Sequence, residues 1–326
     1  MKKRFIYIAA ALSLSLSLAA CGSTATPAST PAPADTPELT TLPQPSLDPV
    51  SGSDITLPDV IDRNLPKSAE VTNDTAFPLI MADGGIVKAD LDGDGKAEEV
   101  SVSAYKDGRD VWLLGSLTIN GEDFASEVYD LGYAGYSPDS ACFAITDIVS
   151  GDGLLEIAVQ DLGPSDDYTT TFFRYDGSRL HLLGTVEGLI YSSYTGLGDV
   201  GFDGSGSIST YMRLGVLQTW YANVTWSEDG GALYLEDSDV YMAVAENQAK
   251  TLVPLTLYAS NDLGSAKTEI SAGEELTFKG SDNSEWVLVS FKGGDMWLHL
   301  ASSYSVESGG EQIYSWEAFD GLSMAD

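Results

Sequence analysis

The chain has 326 residues, 49 acidic against 16 basic side chains, a net charge of −33 and 43% hydrophobic residues. So large an acidic excess excludes a nucleic-acid-binding protein, because phosphate contacts need a basic face, and it excludes electrostatic adhesion to anionic lipid. The apolar content is enough for packed cores, and the length allows two domains plus tails.

Lys2-Lys3-Arg4 and an apolar run from Phe5 to Ala20 have the layout of an export signal, which is short for a membrane span. The run closes on Leu18-Ala19-Ala20-Cys21. This tetrapeptide resembles the lipobox of bacterial lipoproteins. The resemblance implies a signal peptide over 1–20, a lipid on Cys21 and an extracytoplasmic protein anchored to the bacterial membrane. A plain secretory signal with an incidental cysteine is the other reading. Residues 21–74 are rich in Pro, Thr and Ser, and seven of the 13 prolines lie between Gly22 and Val50. Such a stretch buries too little apolar area to offset chain entropy, so an extended tether is predicted. With Cys21 lipidated, Cys142 is left alone in the apolar run Ala141–Ile145 and reads as a buried structural thiol.

Residues 75–247 repeat a short acidic loop. The clearest copy is Asp90-Leu91-Asp92-Gly93-Asp94-Gly95-Lys96-Ala97-Glu98. A second contains Asp147, Asp152 and Glu156, and a third contains Asp199 and Asp203. A hairpin signal follows each loop at nearly constant distance: Asn120-Gly121, Asp176-Gly177 and Asp229-Gly230. The segments between are rich in β-branched and aromatic residues, and helical periodicity is absent. Repeats of strand, acidic loop, strand and hairpin resemble the FG-GAP/VCBS family. The resemblance implies an all-β, propeller-like domain with calcium in its loops.

In the first loop the alternating carboxylates of Asp90, Asp92 and Asp94 converge across a turn that Gly93 and Gly95 permit. Glu98 adds a fourth carboxylate and Lys96 a backbone carbonyl. This hard, all-oxygen set suits Ca²⁺. An EF-hand is excluded because its twelfth position is Ser101 instead of Glu. The other reading is an Asp/Gly-rich turn without metal. The second and third loops have lost carboxylates, and a metal site and a hydrogen-bonded turn both stay open for them.

From 250 to 326 the style changes to short strands: Leu255–Tyr258, Glu275–Phe278, Trp286–Phe291 and Met296–Leu300. Their Trp and Gly punctuation resembles bacterial SH3-like (SH3b) barrels, which implies cell-wall peptide or protein ligands. Trp286 and Trp297 read as core or as the lining of a groove. Tyr314, Trp316 and Phe319 are expected to pack back on the barrel. No nucleophile elbow, zinc-protease or phosphate-loop motif occurs. His181 and His299 read as strand histidines with partners, and Tyr129, Tyr133, Tyr136, Tyr191 and Tyr194 as loop tyrosines that pack on neighbours or stack on ligands. The combined expectation is a lipid-anchored, calcium-binding surface protein that engages cell-wall, glycan or surface-protein ligands. The alternative is a secreted carboxylate-dependent hydrolase of polysaccharide or peptidoglycan.

Overall fold

The structure, a computed structural model, describes residues 65–106, 112–124, 142–163, 167–192, 198–217 and 220–322. The leader, Cys21, most of the tether, and Tyr129, Tyr133, Tyr136 and Tyr194 lie outside the described residues. These residues belong to one compact unit and are all-β, with 23 strands and a single four-residue helix. Among them no helix is long and apolar enough to cross a membrane.

The chain begins with β1 (Ser68–Glu70), β2 (Leu79–Ala82) and β3 (Ile86–Ala89), then β4 (Glu98–Lys106), β5 (Trp112–Ile119) and β6 (Glu122–Asp123). Strands β1-β3-β4-β5-β6 form the first sheet, with β1 parallel to β3. β1 lies in the stretch expected to be tether; its Ser-Ala-Glu sequence carries no apolar periodicity, and it is held by parallel pairing with β3 and by Ala69 packed against the first core. The second sheet is β7 (Cys142–Thr146), β8 (Glu156–Asp161), β9 (Thr169–Tyr175) and β10 (Leu180–Glu187), with β2 paired to β7 at its edge. Cys142 opens β7, and its thiol falls outside the described side chains. The third group is β11 (Gly201–Phe202), β12 (Ser207–Arg213), β13 (Tyr221–Asp229) and β14 (Ala232–Leu235).

Alternation decides how these sheets stack. In β4 apolar and polar residues alternate, and Val100 and Val102 face one core. β8 is buried along five consecutive residues. Its Ile157 and Val159 join the core shared with the first sheet, while Ala158 joins a second core shared with β10, β12 and β14. Phe173 and Phe172 of β9 divide in the same way. The middle sheet is thus covered on both faces, and its buried positions run consecutively instead of alternating, with Glu156, Gln160, Thr170 and Thr171 buried among the apolar residues.

The hairpins differ in detail. At Asn120-Gly121 both residues have positive φ, 52° and 79°, as a tight turn between paired Ile119 and Glu122 requires. The third turn moves one residue on, to Gly230-Gly231, with Asp229 paired to Ala232. The second is a four-residue loop, because Asp176 Oδ1 draws in the amides of Ser178 (2.9 Å) and Arg179 (2.7 Å).

Beyond these come β15 (Tyr241–Thr251), β16 (Leu255–Tyr258), β17 (Lys267–Ile270), β18 (Glu275–Ser281), β19 (Trp286–Phe291), β20 (Gly294–Ser302), β21 (Ser305–Ser308), β22 (Glu311–Tyr314), helix α1 (Ser315–Ala318) and β23 (Phe319–Asp320). The expected boundary between 247 and 250 falls inside β15. This strand pairs with β13 at Ala222–Ala243 and with β18 from Asn247 to Lys250. The C-terminal core is built around Phe278, Val287, Val289 and Leu298, and Leu214, Leu217 and Trp220 of the preceding segment enter it. Trp286 is buried edge-on to Tyr258 at 5.2 Å, whereas Trp297 is half-buried. Of the final aromatics only Phe319 packs back, edge-on to Phe278 at 5.3 Å. Tyr314 and Trp316 correct the expectation: they are 48% and 56% exposed and stack on each other at 4.5 Å.

One polar group in the middle sheet is held by charge. Glu156 is fully buried in β8, and its Oε1 accepts from Arg174 Nη2 (2.6 Å) and Nε (3.2 Å) across the β8–β9 pair. Arg174 Nη1 also donates to Glu228 of β13 (3.1 Å). Burial pushes the Glu156 pKa up against the pull of the guanidinium. Removing one partner of a buried pair leaves the other charge unpaired, so Arg174→Ala is expected to cost about 3–5 kcal/mol in urea unfolding at pH 7. The deficit should shrink as pH falls through the raised Glu156 pKa and the carboxyl becomes neutral.

Candidate metal centre

The three acidic loops share one backbone design. In each, the aligned aspartate turns its Oδ1 onto the amide two residues on: Asp94 to Lys96 (2.8 Å), Asp152 to Leu154 (2.8 Å) and Asp203 to Ser205 (2.8 Å). The glycine after each has positive φ: Gly95 85°, Gly153 83° and Gly204 75°. Successive loops are joined by equivalent bonds, from Leu155 N to Leu91 O (3.1 Å) and from Gly206 N to Ile148 O (2.8 Å). Gly93 lies so close to loop two that a Cβ there would meet Gly153 O at 2.8 Å. The three loops thus share their turn geometry, and two equivalent backbone bonds join them in succession.

The loops differ in what their carboxylates meet. Glu98 begins β4, is buried, and accepts the Leu91 amide through Oε2 (2.9 Å). Glu156 accepts the equivalent Ile148 amide (3.1 Å) and has Arg174 for its other oxygen. The third loop has Ser207 at this place, paired in register with Ser227 as Glu156 is with Arg174. Among the described residues no basic side chain forms an ion pair with Glu98. Instead, carboxylate oxygens of Asp90, Asp92 and Glu98 lie within 4.8 Å of one another. Burial pushes the Glu98 pKa up, and the charges of Asp92 and Asp94 add to it against the Leu91 amide. Asp90 Oδ2 accepts the Gly95 amide (2.9 Å), while its Oδ1 is buried with no hydrogen-bond partner. An orphaned anionic oxygen out of water needs a cation or a proton.

Of the five expected ligands, Asp90, Asp92 and Glu98 come together. Asp94 does not join them. Its Oδ2 is held by the Lys96 ammonium at 2.6 Å, which lowers the Asp94 pKa and raises that of Lys96. An ion at this place would meet hard oxygen donors only, and the orphaned Asp90 Oδ1 fits such a donor set. In the second loop Asp147 Oδ2 accepts from the Ser150 hydroxyl (3.2 Å). In the third, Asp199 Oδ2 accepts the Leu189 amide (3.3 Å).

The loop carboxylates line two clefts. Asp92 borders one of about 470 Å³ with Arg174, Asp176 and His181, and Asp90 borders another of about 480 Å³ with Asp147. His181 Nε2 lies 2.6 Å from Asp176 Oδ2. His299 lies 4.8 Å from the Trp286 ring, and Tyr191 is buried with its amide on Gln160 (3.1 Å). Sequence reasoning missed Arg174. An arginine in a β-rich run of so acidic a chain was the available signal, but only strand register shows that it faces Glu156.

The Asp176 pKa is lowered first by His181, then by the Ser178 hydroxyl and the Arg179 amide. A depressed carboxylate contributes stability that is complete above its unfolded value, near pH ~4, and is lost as pH falls through the folded value. Asp176→Asn is expected to lower the urea midpoint at pH 7, and the gap from the wild type should close in the most acidic buffers of a pH series. No protein-family model, no curated protein and no solved structure matches the chain.

Proposed function

We propose that the chain is an extracytoplasmic surface protein, lipid-anchored at Cys21, whose first acidic loop binds Ca²⁺ and whose β-body engages cell-wall, glycan or protein ligands. The calcium reading is carried by one observation: the buried Asp90 Oδ1 has no partner in a cluster where carboxylate oxygens of Asp90, Asp92 and Glu98 lie within 4.8 Å of one another. Asp90, Asp92 and Glu98 would hold the ion. It supplies the positive charge that Arg174 supplies to Glu156, and it would tie the loop to the start of β4. Three loops each followed by a hairpin, joined by two equivalent inter-sheet bonds, support a propeller-like FG-GAP/VCBS arrangement. The antiparallel β16–β20 framework, with its buried Trp286, supports the SH3-like reading of the C-terminal part. The surface-binding reading follows from the lipobox, the tether and these two likenesses.

Calorimetry with Ca²⁺ on residues 65–326 tests the metal. An extracellular site of this kind binds with Kd on the order of 10⁻⁴–10⁻³ M. At ~10 mM Ca²⁺ linkage then gives about 1.4–2.7 kcal/mol, or about 3–10 °C in Tm for a unit of this size. Asp92→Ala should abolish both the heat and the gain, and Asp152→Ala should keep them. No heat and no gain in the wild type would remove the calcium reading. Co-sedimentation with purified cell walls tests surface binding. Release of new reducing ends, lost on changing a carboxylate pair, would replace that reading with the hydrolase.

A further inference from the structure

The acidic loops and hairpins lie at one end of the strands, and a different cleft opens at the other end. It measures about 150 Å³ and lies between the start of β9, the end of β10, the end of β12 and the start of β13. Its walls are aromatic: Tyr211 stands edge-on to Tyr221 at 4.9 Å and 71°, with Tyr168 beside them. Its polar groups are fixed in place. Arg213 lies over the Tyr221 ring, 5.7 Å from the centroid, and donates to Asp167 Oδ1 (3.1 Å) and to the Tyr221 hydroxyl (3.4 Å). The Arg213 amide holds Glu187 Oε2 at 2.6 Å.

Glu187 Oε1 and the Tyr211 hydroxyl are among the lining's polar atoms that make no hydrogen bond to the described residues. Burial pushes both groups up in pKa, Tyr211 strongly. Each is therefore a partly desolvated group that gains from a ligand hydrogen bond. The volume admits one six-membered ring.

Charge narrows the ligand class. Arg213 is neutralised by Asp167, and Glu187 leaves the cleft net negative, so an anionic ligand is disfavoured. The guanidinium lies over one face of the Tyr221 ring and repels a second cation beside it. What remains is a ring with an apolar C–H face for the tyrosines and hydroxyls that both donate and accept.

We propose that this cleft binds one neutral pyranose unit of a glycan, seated against Tyr211 and Tyr221 with a hydroxyl donating to Glu187. The proposal rests on the surface-binding reading and names its ligand class; it does not use the metal.

Saturation-transfer NMR on residues 65–326 tests it, with methyl β-glucoside, methyl β-N-acetylglucosaminide and cellobiose as probes. At least one should receive saturation on its ring C–H protons, and chelator should leave the signal unchanged. Glu187→Gln should weaken binding by about tenfold or more, and Tyr221→Ala by about tenfold. Tyr221→Phe, which keeps the ring face, should stay within about threefold of wild type. Trp316→Ala, on the C-terminal surface, should bind as wild type. Melting curves identify any variant that fails to fold, and Glu187→Gln alone then decides. The cleft proposal is overturned by no transfer to any of the three sugars, by unchanged affinity in Glu187→Gln and Tyr221→Ala, or by tighter binding of glucuronate or tetramethylammonium. If wild type and Tyr221→Ala sediment equally with cell walls, the cleft fails while the surface-binding reading stands.

Discussion

A carboxylate removed from water must be met by a positive charge or by donated protons, and this constraint organises the acidic loops. The same glutamate position recurs in two of them. Glu98 and Glu156 each take one backbone amide, from Leu91 and Ile148. Glu156 then has a guanidinium, and the third loop avoids the problem with Ser207. Among the described residues, carboxylates converge on the glutamate of the first loop. One backbone design thus carries three electrostatic solutions, and the buried glutamate without a basic partner is in the loop with an orphaned oxygen.

Much of the scaffold was legible in the sequence because its signals are local. The Asn120-Gly121 turn, the Asp-Gly loops and the alternation in β4 depend on neighbours a few residues away. β16 and β19 match the expected strands residue for residue. What was not legible depends on register or on distant packing. Asp94 reads as a ligand by spacing, yet Lys96, two residues on, reaches it first. β1 has no pattern of its own, and β15 looks like a linker until its partners on both sides are known. The tyrosine cleft was missed for the same reason: Glu187, Tyr211 and Tyr221 are far apart in sequence and meet only where β10 ends beside β12 and β13.

The two ends of the strands have different chemistry. At one end backbone amides and carboxylates stack loop on loop. At the other, tyrosines and a pinned arginine line a small cleft. The middle sheet between them is covered on both faces. A change in cation occupancy at the loop end would therefore alter the stability of the whole stack more than the shape of the far cleft.

β2 has one more consequence. It lies in the chain between β1 and β3 of the first sheet but belongs to the second, where it pairs with β7 from Leu79–Ile145 to Ala82–Cys142. Strands β3 to β6 are thereby flanked in sequence by two neighbouring strands of the other sheet. Excision of the segment that forms the first sheet would also strip the edge strand from the second, so neither sheet can be lost cleanly without the other.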